Sequence, residues 1–239
     1  MKRAAIVLLA LLPLLNGCDA PWDDAGERTE TAREFPPADR PVAPTVSTKW
    51  STEEARDRVN EAEDVMDSAD VRPNMTVADI GAGDGYYTVR LAQRVGAGGR
   101  VLAQDIIPEV IERLADRVAR ERLDNVSLKL GAVDDPRLPA ASFDRVFMVH
   151  MYHEIGEPYA FLWRLRPALR KGGQVIVVDG DRPIAQHGTP FRLLVCEFEA
   201  VGYKLVSYDD KQHAGGYLAR FVPDGQRPEA DKITVCDNP

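Results

Sequence analysis

One segment constrains this chain more than any other: Val77-Ala78-Asp79-Ile80-Gly81-Ala82-Gly83-Asp84-Gly85-Tyr86-Tyr87-Thr88. The apolar run over 75–80 predicts a buried strand, and the amphipathic stretch over 86–94 predicts a helix. The three glycines between them permit positive φ and let the backbone approach a ligand closely. The helix start offers N–H groups without intrahelical partners, and Asp79, at the strand's end, is placed to accept a hydrogen bond from an amine. A dinucleotide fingerprint needs G-x-G-x-x-G, which would put glycine at position 86, where Tyr86 stands. The Gly-Lys-Ser/Thr of a phosphate loop is absent. The segment reads as a nucleotide-cradling turn of a different spacing.

Further along, strand and helix patterns alternate. Strands are expected over 100–106, 126–130, 143–151 and 173–179, and helices over 109–122, 158–169 and 189–201. Two last strands, 203–208 and 217–222, have no helix between them and are expected to pair as an antiparallel hairpin. The pattern predicts an α/β fold: a Rossmann-like, doubly wound, mostly parallel seven-stranded sheet covered on both faces. Asp105 ends the second strand about 20 residues after Gly85, where a carboxylate meets ribose hydroxyls in such folds. Asp is also a good N-cap for the helix that follows.

The acid followed by G-x-G-x-G resembles motif I of the class I S-adenosylmethionine-dependent methyltransferases. Leu169-Arg170-Lys171-Gly172-Gly173 is similar to that family's L-K-P-G-G turn before strand five, with Lys171 in place of proline, and Phe143-Asp144-Arg145-Val146 to the opening of its strand four. The resemblance covers 75–223. It implies S-adenosylmethionine as cofactor, held by Asp79, Gly81, Gly83 and Gly85, by Asp105 at the ribose and by Ile106 against adenine. The loop from Gly131 to Pro139 carries Ala132 where many members carry an aspartate. The adenine contact is therefore assigned to Val133 and Asp134, with Asp135 as the alternative acid.

Strand four runs into His150-Met151-Tyr152-His153-Glu154. The ligand crevice of open α/β sheets lies beyond the carboxyl ends of the strands. His153 and Glu154 are thus candidate general bases on an acceptor hydroxyl or amine. A Tyr-His-Glu ending at this place also resembles a group of small-molecule methyltransferases. The other reading gives His153 a structural or pocket-lining role, since methyl transfer needs mainly proximity and alignment. If the strand continues through them, alternation makes His150 and His153 diverge, and His187 and His213 fall alone in polar loops. No metal site is expected.

Lys2 and Arg3 precede an apolar run of about 12 residues, too short to span a bilayer and typical of a secretory signal. Its ending, Leu15-Asn16-Gly17-Cys18, resembles a bacterial lipoprotein signal. That resemblance implies loss of residues 1–17, lipidation of Cys18 and a membrane anchor, with Asp19 favouring the periplasmic side of the inner membrane. Residues 18–48, rich in proline and charge, are expected to be a disordered tether. Helix is expected over 51–68 with Ser51 as cap, the globular domain over 49–225, and a polar tail over 226–239.

With 30 Lys and Arg against 38 Asp and Glu, the net charge is −8, which argues against nucleic acid as a partner. Of the three cysteines, Cys196 and Cys236 remain after Cys18. Cys196 is either a core residue or the partner of Cys236 in an oxidising compartment. The resulting expectation is a methyltransferase acting on a small-molecule or lipid-like acceptor. The alternative is an exported, membrane-anchored binding protein that keeps the fold without turnover.

Overall fold

The computed structural model describes residues 28–45 and 52–237. The proposed signal, Cys18 and Ser51 lie outside them. Seven strands form one sheet in the order β3-β2-β1-β4-β5-β7-β6. They are β1 (Thr76–Ile80), β2 (Arg100–Asp105), β3 (Val126–Leu130), β4 (Phe143–Val149), β5 (Leu169–Asp179), β6 (Tyr203–Lys211) and β7 (Gly216–Pro223). The first five pair in parallel. β7 inserts antiparallel between β5 and β6, so the expected hairpin closes one edge of the sheet. The chain reverses winding direction between β1 and β4, and the site opens beyond the carboxyl ends of these two strands.

Strand alternation sorts the core into two layers. Ala78, Ile80, Val146, Met148, Val175 and Val177 face α5 (Pro158–Leu165) and α6 (Phe191–Ala200). Val77, Val101, Phe147, Ile176 and Val178 face α2 (Glu61–Ser68) and α3 (Tyr86–Val95). On α4 (Pro108–Glu121), Leu114 packs on Ala82 and Ala103.

The helix expected over 51–68 is two. α1 (Glu53–Arg58) is capped by Thr52, whose side chain accepts the Ala55 N–H. Asn60 then adopts φ 53 and starts α2 in a new direction; asparagine tolerates this left-handed conformation better than most residues. The turn brings Glu61 inward, where Arg56 pairs with it at 2.6 Å.

Residues 28–45 depart from the expected tether. They form an ordered strap that includes a 3₁₀ turn at Glu30–Ala32. Ala32, Phe35 and Ala43 are buried, and Phe35 meets Trp163 edge-on at 5.4 Å between centroids. Arg40 reaches a buried pairing with Glu197 at 2.7 Å and donates to the Ile155 carbonyl. The strap follows no helical or strand period, so its order comes from these few long-range anchors. The tail packs as well: Ile233 and Cys236 are buried, and a disulfide joins Cys196 to Cys236. No described helix is long and apolar enough to cross a membrane.

Candidate cofactor and acceptor site

A cavity of about 870 Å³ runs from the glycine turn to the segment after β4, and the strap and α1 contribute to its walls. Its size lies in the upper range for small-molecule sites. Gly83, at φ +53, would direct a Cβ into open space, whereas one at Gly85 (φ +89) would meet Leu114 Cδ1 at 2.5 Å. The two glycines therefore do different work. Gly83 leaves the cavity clear, and Gly85, which does not line it, lets α4 close on the turn. Gly81 lines the cavity, packed against Met151.

Asp79 lies at the cavity wall but is 3% exposed, and its Oδ2 accepts from Thr88 Oγ1 at 2.6 Å. Burial pushes its carboxyl up to about 6, against the hydrogen bond from Thr88 and the charge of Arg56. Asp105 is not the N-cap of α4, which is Ile107, but both of its oxygens have backbone partners. Its Oδ1 accepts the N–H groups of Ile106 and Ile107 and so organises the entry to α4, while Oδ2 accepts from Gly83 N–H at 3.0 Å. A carboxylate has about four acceptor positions. The position left is on Oδ2, which favours one hydroxyl contact over two. Ile106 and Val133 line the cavity.

Asp134 does not line it. Its buried Oδ2 takes hydrogen bonds from Thr29, Thr31 and Arg164 at 2.9, 2.6 and 2.6 Å. The acid expected at the adenine instead anchors the strap, because three donors compete for it. Gln104 was missed in the sequence: it borders the cavity, and its buried Nε2 has no hydrogen-bond partner. An apolar strand offers no signal for such a role.

The segment after β4 divides its polar groups. His150, held at φ 55, and Glu154 line the cavity. Behind His150, Nε2 lies 3.6 Å from buried Glu61. Burial would raise the Glu61 carboxyl, but the nearby His150 imidazole and the hydrogen bonds and charge of Arg56 outweigh it and hold it at about 2. His153 is buried on the far side of the turn, with Nδ1 at 3.0 and 3.1 Å from the two Asp179 oxygens. It does not border the cavity. β4 ends at Val149, so the two histidines are separated by the left-handed His150 and the 3₁₀ turn Tyr152–Glu154 rather than by strand alternation, and neither feature was legible in the sequence.

Residues 77–173 match the methyltransferase-domain family. The chain is 32% identical over 117 residues to a protein-L-isoaspartate O-methyltransferase of Methanothrix thermoacetophila, covering 49% of this chain and 53% of that protein. It is 32% identical over 174 residues to the ubiquinone/menaquinone biosynthesis C-methyltransferase UbiE of Bordetella avium, covering 71% and 63%. The match thus spans less than two thirds of either relative. The fold is similar to that of an S-adenosylmethionine-dependent methyltransferase from Aquifex aeolicus, with TM-score 0.63, 23% identity and coverage of 70% and 90%. These proteins are named as methyltransferases, which gives no support to a binding module without turnover.

The cofactor that goes with this domain is S-adenosylmethionine, and the residues present fit it. The open space beside Gly83, the acids Asp79 and Asp105 on the cavity wall and the unpartnered Gln104 amide supply room, anionic acceptors and a donor.

Proposed function

We propose that this chain is a class I S-adenosylmethionine-dependent methyltransferase that methylates a small-molecule or lipid-like acceptor, a reading supported by the family match of residues 77–173 and by the fold. The observation that carries this reading is one continuous cavity. It joins the motif I turn and both acids to His150, Glu154 and a set of apolar side chains.

When bound, the cofactor supplies an electrophilic methyl group on a sulfonium. Asp79 is placed for the cofactor's amino group, Asp105 for one ribose hydroxyl, and Ile106 and Val133 for the adenine faces. The apolar walls Val42, Met151, Ile155 and Phe161 favour an acceptor with a hydrophobic body, and they exclude water around it. Glu154 and His150 stand at the cavity to take an acceptor proton. His153, bound to Asp179, fixes the turn that presents Glu154.

We further propose that the chain is exported and anchored through Cys18 at the periplasmic face of the inner membrane. The sequence pattern over residues 1–18 supports this, as does the Cys196–Cys236 disulfide, which belongs to an oxidising compartment.

Calorimetric titration of S-adenosylmethionine, and of its demethylated product, tests the cofactor site. Micromolar binding is expected. Asp105→Ala is expected to weaken it by roughly 1.5–3 kcal/mol, the range for hydrogen bonds to a charged group. Undiminished affinity in that variant, or no binding by the folded wild type, would overturn the assignment.

A further inference from the structure

The geometry points to a divalent metal site on the wall between the cofactor cavity and the β5 carboxyl end, formed by His153, Glu154 and His187. One ligand atom from each residue lies within 4.8 Å of the other two. In sequence, His187 stands far from the other pair and in a polar loop. The fold carries it across to His153, where the ring centroids are 5.6 Å apart and the planes nearly perpendicular.

Three independent features prepare these residues for an ion. The first is the tautomer of His153. Asp179 also receives hydrogen bonds from Thr189 Oγ1 and the Gly180 N–H. As a carboxylate it can only accept, so the His153 proton sits on Nδ1 and the Nε2 lone pair is left for a cation. A carboxylate behind an imidazole in this way is the usual support of a metal-bound histidine. The second is His187 Nδ1, a buried nitrogen with no hydrogen-bond partner. Such an atom is costly unless something fills the need. The third is backbone conformation. His187 is held at φ 56, ψ 58, uncommon for a residue other than glycine, and Arg182 donates to its carbonyl from both Nε and Nη2 at 3.1 and 2.7 Å. The strained turn is thereby fixed.

Two imidazoles and a carboxylate are the donor set of open zinc and non-haem iron sites, which keep a position for water or substrate. Bonds of about 2.0–2.2 Å put tetrahedral ligands roughly 3.3 Å apart, so closure needs side-chain rotation on the order of 1 Å. Of the three residues only Glu154 lines the cofactor cavity, so the ion would reach that cavity through the Glu154 carboxylate. Resting on the methyltransferase reading, a bound ion would fix the Glu154 carboxylate at the edge of the acceptor space.

The test is titration of Zn²⁺ into chelator-stripped full-length protein, with Co²⁺ absorption reporting geometry. The expected result is one saturable equivalent of Zn²⁺ and a visible Co²⁺ band. His187→Asn suits the test because asparagine tolerates the left-handed backbone, and it is expected to weaken Zn²⁺ by at least roughly tenfold. Asp179→Asn is expected to cost roughly 10–100-fold. His213→Ala removes an exposed imidazole paired with Asp64 and is expected to change nothing. Absence of saturable binding, or equal affinity in folded His187→Asn, would overturn the site. S-adenosylmethionine titrated into the same stripped protein separates the two proposals: cofactor binding without metal binding overturns only this one.

Discussion

Asp79 is closed off from water at the end of β1, and its raised carboxyl gives the site a pH signature. Its folded value, about 6, lies above the unfolded 3.8. The folded protein therefore holds this proton more tightly, and the resulting stability is present at acid pH and lost as pH rises through about 6. A cationic amine at the site has the opposite preference, because it pairs with the ionised form. Affinity for S-adenosylmethionine is expected to rise by about tenfold per pH unit below pH 6 and to level off above it. Asp79→Asn is expected to flatten that profile and weaken binding at pH 7.5. Titration calorimetry between pH 5 and 8 checks both, and a pH-independent wild type would remove Asp79 from the amine contact. Asp134 shows the limit of reading single residues. Its place in the loop was legible, but the strap donors that capture it lie more than 100 positions away.

The strap behaves as an element although it has almost no secondary structure. Its hold on the domain is a handful of anchors: Phe35 on Trp163, Arg40 on Glu197, Arg28 on Glu157, and the Ala43 N–H on the His153 carbonyl. Local periodicity predicted the strands and helices because each needs only its own pattern and one apolar face. The strap has no such pattern, and its proline content matched a linker. Phe35→Ala removes a buried ring, a change that costs about 3–5 kcal/mol in a closed core. Here the loss is capped by the strap's own docking energy, because the strap can detach while the sheet stays folded. The variant is expected to show rapid proteolysis within residues 28–45, with little change in the main melting transition. A large fall in Tm with no new cleavage would instead make the strap an integral part of the cooperative core.

At the scale of the molecule, the two ends of the described chain meet. Ala43 of the strap, Cys236 of the tail, Leu193 of α6 and Ile184 form one buried cluster. Ile184 opens the short turn that ends in His187, and Cys196 lies one residue before the Glu197 that holds Arg40. The disulfide therefore braces strap, tail and the His187 turn together, a coupling that no single segment of sequence announces. The sequence separation across it is 40 residues, for which the chain-entropy relation gives about 4 kcal/mol. For a domain of this size that corresponds to a drop in Tm on the order of 10 °C. Replacing both cysteines with serine is expected to lower Tm by this order. It is also expected to speed hydrogen exchange in the strap and at 184–187, while α3 and strands β1 to β4 keep their protection relative to the new global stability. The tail is the part most directly released, since the Cys236 N–H donates to the Tyr159 hydroxyl and that contact goes with it. Acceleration confined to the tail would mean that the disulfide pins only the C-terminus. Acceleration that includes the strap and the His187 turn would show that a redox change at the back of the molecule reaches the wall of the cofactor cavity.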